Sequence, residues 1–368
     1  MKRKIRYAVV GLGHIAQVAV LPAFKNARSN SELVALVSSD KRKLKSLGKK
    51  YKVENLFSYE EYADLLKSGL IDAVYICTPN VDHKLYTVEA ANAGIHVLVE
   101  KPLATTESDC LAMMNAVQKN KTKLMVAYRL HFEKANITAS ELIANGKIGE
   151  PRLFNSTFTY QLTDQDNIRL KQEKGGGPLF DIGTYCINAS RYLFKEEPIE
   201  VFATVASHPR DDRFKEVEEM AAVTLRYPNA KLANFVVSFG TEASANFDVF
   251  GTKGALCLEN AYEYTEDMTL TVTKKDKDQV REYKKRDQFA PEIVYFSECI
   301  LNNKNPEPSA LEGLADVKIL NAIFKSAQSR KAVSLDQTNK RSRPHKGQMI
   351  MRPPHRKPKT VNVQSPHN

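Results

Sequence analysis

The sequence predicts an α/β protein of two parts, an amino-terminal Rossmann doubly wound parallel sheet and a carboxyl-terminal α+β domain with a large, mostly antiparallel open sheet. Three observations carry this. Short β-branched runs alternate with helical stretches over residues 1–127, and a Gly-x-Gly-x-x-Ala turn closes the first of them. From Val201 to about Val272, strand-like runs follow one another with turns between them and no room for helices. Alternation with helices makes right-handed βαβ units and a parallel sheet. Strands joined by tight turns pair antiparallel.

In order along the first part, the strand candidates are Ile5–Val10, Leu33–Val37, Ala73–Ile76, His96–Val99 and Lys123–Ala127. Helical periodicity marks Tyr59–Lys67, Val81–Ala93 and Glu107–Lys119. The second part, 128–335, opens with a helix over Ala135–Ala144 that Asn145-Gly146 ends. A strand over Arg152–Tyr160, a polar loop, the run Gly175-Gly176-Gly177 and a helix from Leu179 to about Leu193 come next. Turns at Tyr227-Pro228-Asn229 and Gly251-Thr252-Lys253-Gly254 divide the strands that follow. Helices over Pro291–Leu301 and Ser309–Ser329 close the domain.

Composition narrows the function classes. The hydrophobic share of 42% and charged share of 26% are those of a globular protein, and no window approaches a membrane span. The start, Met-Lys-Arg-Lys before an apolar run, has the outline of a secretory signal. Gly11, Gly13, His14 and Gln17 interrupt that run and fit a strand–turn–helix, so a mature, cytoplasmic protein is expected. The five cysteines are scattered, with neither a disulfide framework nor a metal-ligand spacing. Of the net charge of +11, eight cations lie between Thr338 and Asn368, leaving +3 for the rest. The tail, 336–368, carries five prolines and has no acid beyond Asp336, so a mobile segment whose loss leaves stability unchanged is expected. It lacks the interleaved aromatics of a single-strand nucleic-acid binder.

The turn Gly11-Leu12-Gly13-His14-Ile15-Ala16 is where the chemistry begins. Its first glycine permits a tight turn, its second lets backbone approach a diphosphate, and Ala16 permits close helix packing. His14 and Ile15 open a helix whose amino-terminal amides favour an anion. The strand Leu33–Val37 ends in Ser38, where an NAD enzyme usually carries a ribose-binding carboxylate. Arg42 and Lys43 follow, which favours the 2′-phosphate of NADP over NAD. Two alternatives stay open: Asp40 can swing onto a ribose, and Arg42 and Lys43 can simply be a solvated helix start.

Further segments carry a resemblance. Cys77-Thr78-Pro79-Asn80 with His83, and Glu100-Lys101-Pro102, stand at carboxyl ends of parallel strands, where open α/β sheets hold ligands. Tyr128-Arg129-Leu130-His131-Phe132-Glu133, Gly146-Lys147-Ile148-Gly149-Glu150-Pro151 and the stretch Gly175–Tyr185 follow. Together with the glycine turn, this ordered series resembles the glucose–fructose oxidoreductase and inositol dehydrogenase superfamily over residues 4 to 335. Tyr185 stands where many relatives carry histidine, as in the glucose–fructose oxidoreductase branch. The resemblance implies hydride transfer between a nicotinamide cofactor and a sugar or related polyol. It implies cofactor contacts from Thr78, Pro79, Asn80, His83, Glu100, Lys101 and Arg129.

The residues fit that chemistry. Asp181 and Tyr185 are four apart on a helix and share one face. A phenol is a poor base until a nearby ammonium favours the phenolate. Lys101 supplies such a cation, and Pro102 restricts its backbone. The pair is therefore expected to act on one substrate hydroxyl from opposite walls of an interdomain cleft, with Asp181 holding a sugar hydroxyl or orienting the lysine. Arg129, His131 and Arg169 are either substrate-binding or structural, and His83 is either a cofactor contact or a polar helix start. The glycine run either binds ligand or lets the chain double back. Selectivity is expected from the loop Gln161–Lys174. A non-catalytic nucleotide-sensing regulator is the alternative function, and glycoside cleavage with tightly held NAD a further outcome. The exposed face of the large sheet calls for a homodimer or homotetramer.

Overall fold

Parallel strands flanked by helices on both faces read as continuous apolar runs, and two strands of the first sheet, Ala73–Ile76 and Leu124–Ala127, do so throughout. The computed structural model describes residues 3–336, 343–363 and 365–366. Its first body comprises Met1–Arg129, Arg286–Leu314 and Met351–Ser365. Here β1 (Ile5–Val10), β2 (Ser31–Val37), β3 (Asn55–Phe57), β4 (Ala73–Ile76), β5 (His96–Glu100) and β6 (Leu124–Ala127) form a parallel sheet in the order β3-β2-β1-β4-β5-β6. The order reverses between β1 and β4, the place where such sheets open a ligand crevice. Sequence periodicity did not disclose β3, whose three residues sit half-exposed at the edge.

The helices of this body begin with a π turn over Ala16–Val20 that runs into α1 (Leu21–Ala23). Then come α2 (Lys41–Tyr51), α3 (Tyr62–Lys67), α4 (His83–Asn92) and α5 (Glu107–Lys119). Asp40 caps α2 and Thr106 caps α5, each side chain accepting first-turn amides. The helix Ala290–Leu301, expected in the second domain, belongs to the first body. Its Ile293, Val294 and Phe296 are buried, and its Ser297 hydroxyl lies 2.7 Å from that of Tyr7 on β1 and 2.8 Å from that of Ser31 on β2. The expected division into 1–127 and 128–335 is corrected accordingly.

The second body comprises Leu130–Lys285, Ala315–Ile350 and Pro366–Asn368. It holds α6 (Lys134–Ala144), β7 (Pro151–Gln161), α7 (Thr184–Phe194), β8 (Glu200–Ala206), β9 (Met220–Tyr227) and β10 (Lys231–Ser238). After these come β11 (Gly240–Gly251), β12 (Gly254–Glu259), β13 (Met268–Lys274), β14 (Lys277–Tyr283) and β15 (Val333–Ser334). They make one nine-stranded sheet, β14-β13-β12-β11-β7-β10-β9-β8-β15. Only the β7–β10 pairing is parallel. Phe154, Val201, Val223, Phe235, Phe247 and Leu256 line its buried face, while Phe202, Thr204, Thr224 and Val236 alternate onto the other. No sequence signal marked β14, because its residues are polar or exposed on both faces. A turn with Lys275 and Asp276 both at positive φ joins it to β13, the hand that suits a two-residue hairpin.

The tail also departs from expectation. Residues 337–342, 364 and 367–368 lie outside the described residues. In the second body the Arg343 guanidinium is 2.6 Å from Glu197. In the first, Arg352 pairs with Asp287 through backbone and donates its Nε to the Asn26 carbonyl at 3.1 Å. These contacts correct the expectation of a wholly mobile tail. No helix among the described residues is long and apolar enough to cross a membrane.

Helix α7 is fixed at its carboxyl half by charge. Arg191, with no exposed surface, lies 2.5 Å from Asp316 and 2.6 Å from Glu197. Removing one partner of a buried pair strands the other in a dry interior. Arg191→Met is therefore expected to cost about 3–5 kcal/mol of stability, read as a fall in the denaturation midpoint.

Candidate functional site

Two sets of side chains stand out, one in each body. In the first body, β1 runs into Gly11 at φ +91, where a Cβ would lie 2.7 Å from the Cys77 carbonyl oxygen and 2.9 Å from the Thr78 nitrogen. Only glycine fits this approach at the strand-order reversal. Gly13 faces open space, with no atom within 4 Å of a Cβ position. Gly13, His14 and Ile15 are half-buried at the opening of the following helix, and Ala16 is buried against the sheet. The Thr78 hydroxyl is buried and has no partner among the described residues. Half-exposed Pro79 and Asn80 follow it, Asn80 opening a short 3₁₀ turn. An open glycine, helix amides and an unsatisfied buried hydroxyl suit the diphosphate of a dinucleotide.

At the end of β2, Ser38 is buried and its hydroxyl accepts the Asp40 amide at 3.2 Å. One Asp40 carboxylate oxygen accepts the Arg42 and Lys43 amides at 2.8 and 3.1 Å. Hydrogen bonds to the ionised form hold this carboxyl below its usual range, the Asn362 side-chain amide foremost and the first-turn amides next. The Arg42 side chain is exposed and that of Lys43 half-exposed.

The next two strand ends are joined by His83. Its ring nitrogens lie 2.9 Å from the Pro102 carbonyl and 3.2 Å from that of Thr78. The ring has no exposed surface, and burial lowers its pKa to about 4 against the pull of those carbonyls. His83 thus fixes the loops on either side rather than facing solvent. Glu100 is buried and accepts the Tyr75 hydroxyl at 3.0 Å; Glu292 lies 3.3 Å from the same hydroxyl. Burial raises both carboxyls, Glu292 well above the usual range. Arg129 is buried beside Gln288, which accepts from its guanidinium, and 5.9 Å from the Phe289 ring. Lys101, at the end of β5, is half-exposed. Sequence reasoning missed Tyr75 and Glu292, although a tyrosine within an apolar strand and a lone acid before Ile293-Val294 were the available signals.

In the second body, Asp181 lies in a π turn over Leu179–Gly183 that leads into α7, and Tyr185 is in the first turn of α7. The Asp181 carboxylate accepts the Arg169 Nε at 2.7 Å and the Tyr160 hydroxyl at 3.0 Å. Burial works to lower the Arg169 pKa, but the Asp181 carboxylate beside it outweighs that and raises it. The Tyr185 ring, half-buried, sits 5.7 Å from Phe158 and 6.0 Å from Tyr262. His131 has no exposed surface; its Nε2 is 2.7 Å from the Asn188 side-chain oxygen, and its ring meets Tyr192 edge-on. Of the two roles open to His131, these contacts fit the structural one.

The glycine run resolves in favour of chain reversal. Gly176 packs on the Arg169 carbonyl, and Gly177, at φ +102, leaves 2.8 Å between a Cβ position and the Glu218 carboxylate. Glu218, which sequence reasoning did not single out, accepts the Leu179 amide at 3.2 Å. Burial raises it to about 7.

Comparison with known proteins gives a consistent result. Residues 5–128 match a family model described as an oxidoreductase family with an NAD-binding Rossmann fold, and residues 136–257 match the GFO/IDH/MocA C-terminal domain. The chain is 32% identical over 339 residues to a D-xylose 1-dehydrogenase [NADP(+)] of Haloarcula marismortui, covering 90% of this chain and 93% of that one. It is 28% identical to a dTDP-3,4-didehydro-2,6-dideoxy-alpha-D-glucose 3-reductase of Actinomadura kijaniata, covering 88% and 96%. Among solved structures, an aldose–aldose oxidoreductase from Caulobacter crescentus, complexed with glycerol, superposes with a TM-score of 0.86. It is 35% identical, with 90% of this chain and all of that chain covered.

Two of these shifted groups, His83 and Glu218, make opposite pH predictions. Unfolded His83 takes a proton below about 6.5, whereas the folded ring resists it down to about 4. Its contribution is present above pH 6.5 and lost as pH falls, by up to about 1.4 kcal/mol per unit. Glu218 is raised, so its contribution is present below about 4.5 and lost as pH rises to about 7. Urea midpoints across this range should show the gap between wild type and His83→Gln closing toward acid. Glu218→Gln should gain on wild type toward neutrality.

Proposed function

Because the chain belongs to the GFO/IDH/MocA oxidoreductase family, we propose that it oxidises the anomeric hydroxyl of an aldose with NADP as the hydride acceptor. The observation that carries the cofactor choice is the end of β2. Ser38 is small and neutral there, and Asp40 is engaged as the cap of α2 instead of standing free for a ribose. The D-xylose dehydrogenase relative, named for NADP(+), supports the same choice and the aldose class. A cytoplasmic location is part of this reading, supported by the five free thiols.

The chemistry requires a hydride to leave C1 while the hydroxyl proton goes to a base. When bound, the nicotinamide supplies the hydride acceptor. Tyr185 takes the proton as C1–O becomes a carbonyl, and a pyranose thereby yields its lactone. Lys101 supplies the positive charge that favours the phenolate. Asp181, held by Arg169 and Tyr160, fixes the helix start that carries Tyr185 and offers its remaining acceptor capacity to a sugar hydroxyl. Glu100, His83 and Arg129 brace the strand end from which Lys101 projects. Thr78, Pro79 and Asn80, with Gly11, Gly13, His14 and Ile15, line the nucleotide edge.

We further propose that a second copy covers the open face of the nine-stranded sheet. Phe202, Leu232, Val236 and Phe250 are each at least 40% exposed, and a shallow groove of about 560 Å³ crosses that face beside Asn155, Thr224 and Asn246. Singly scattered apolar residues are ordinary, but a contiguous set marks an interface. Light scattering of the purified protein reads the assembly directly.

The expected outcome for activity is NADP reduction with one or more members of an aldose panel. Absence of reduction with every sugar, despite nucleotide binding, would instead favour a nucleotide-sensing regulator. Tyr185→Phe keeps the ring and its packing, so kcat should fall by roughly 10²–10⁴ with nucleotide affinity little changed. Lys101→Met should lose a similar factor, and the double variant little more, since groups acting as a unit lose their effect together. Full additivity in steady-state kinetics would assign the two residues separate roles.

A further inference from the structure

We propose that Asn362 is a cofactor-specificity residue, which holds the Asp40 carboxylate on the carboxyl-terminal segment and so withholds it from the ribose of NAD. The inference rests on the nucleotide reading above and extends it to a part of the chain outside both family-matched regions. Asp40 has two oxygens to spend. One caps α2 through the Arg42 and Lys43 amides, and the other accepts the Asn362 side-chain amide at 2.5 Å. Asn362 sits at φ +50, a left-handed conformation that asparagine adopts more readily than most residues.

The segment that carries Asn362 is built into the body rather than laid upon it. Gln17, on the helix after the glycine turn, is only 1% exposed. Its side-chain oxygen accepts the Val361 amide at 2.7 Å, and its side-chain nitrogen donates to the Val361 carbonyl at 3.0 Å and to that of Leu12 at 3.0 Å. Without the segment, a buried amide would lose two of its three partners. The Lys50 ammonium, in the last turn of α2, donates to the Lys359 carbonyl at 3.0 Å. Upstream, the Asn26 side-chain amide donates to the Pro353 carbonyl at 2.9 Å. Residues 359–362 therefore join α2 to the helix after the glycine turn, the two elements that flank the end of β2.

The consequence for the nucleotide follows from charge. A carboxylate at the end of this strand accepts both ribose hydroxyls of NAD and repels a 2′-phosphate. While Asn362 holds it, NAD has no acceptor there and NADP meets Ser38 with the cations that follow. Freeing Asp40 should improve NAD binding and weaken NADP binding together, so the ratio of the two affinities is the sensitive quantity.

The test is titration of the full-length protein, without sugar, with NADPH and NADH by nucleotide fluorescence. Asn362→Ala should shift the ratio of dissociation constants toward NADH by about tenfold, the scale of one hydrogen bond to a charged group. Adding Asp40→Asn to Asn362→Ala should abolish the gain in NADH affinity, because the released carboxylate is its source. An unchanged ratio in Asn362→Ala overturns the proposal, as does an equal loss of both affinities, which would mean that the segment only braces the fold. Wild-type protein that binds neither nucleotide would overturn the cofactor reading itself, and this inference with it.

Discussion

The close approach of Gly11 to the Cys77–Thr78 backbone is the constraint on which the nucleotide edge depends. It occurs between β1 and β4, where the strand order reverses, and a methyl group there would stand 2.7 Å from a carbonyl oxygen. The approach lets the chain turn from β1 into the helix that begins near Ala16 while the Gly13 side stays open. It also sets the Thr78 hydroxyl beside that turn, buried and unsatisfied among the described residues. From Thr78 the constraint passes on: its carbonyl and that of Pro102 both meet His83, so the ends of β4 and β5 are fixed to each other. Lys101 takes its place from that connection.

The second body reaches order at its polar residues by a different means. Asp181 is held by one cation and one phenol, and the helix behind it is pinned by the buried Arg191 pairs. Gly176 and Gly177 are required there because the chain folds back against its own Arg169 carbonyl and the Glu218 side chain. Their purpose is steric, in contrast to Gly13, which leaves room for a ligand. Both runs look alike as sequence and differ only in what surrounds them.

That difference shows what the sequence disclosed and what it withheld. β4 occupies the residues its β-branched run marked, because a strand buried on both faces must be apolar throughout, and β1 does so too apart from the half-buried Arg6. The glycine turn, Lys101, Asp181 and Tyr185 were legible as local motifs. Edge strands β3 and β14 were not, since neither buries a face that would impose alternation. Nor were Glu292 under Glu100, the helix Ala290–Leu301 on β1, or Asn362 on Asp40. Such partners are separated by up to 322 residues in sequence, and no local pattern encodes them. His131 illustrates the converse. It read as a polar residue in a functional motif, yet it serves as a buried partner of Asn188.

The central claim is that hydride leaves C1 of an aldose for the nicotinamide of NADP while the hydroxyl proton leaves separately. Mass spectrometry of a reaction with an aldose deuterated at C1 tests it most directly. The account predicts one deuterium on the reduced nicotinamide, none in the lactone product, and a slower turnover than with the unlabelled sugar. Deuterium retained in the sugar product, or lost to water with no labelled nucleotide formed, would contradict it.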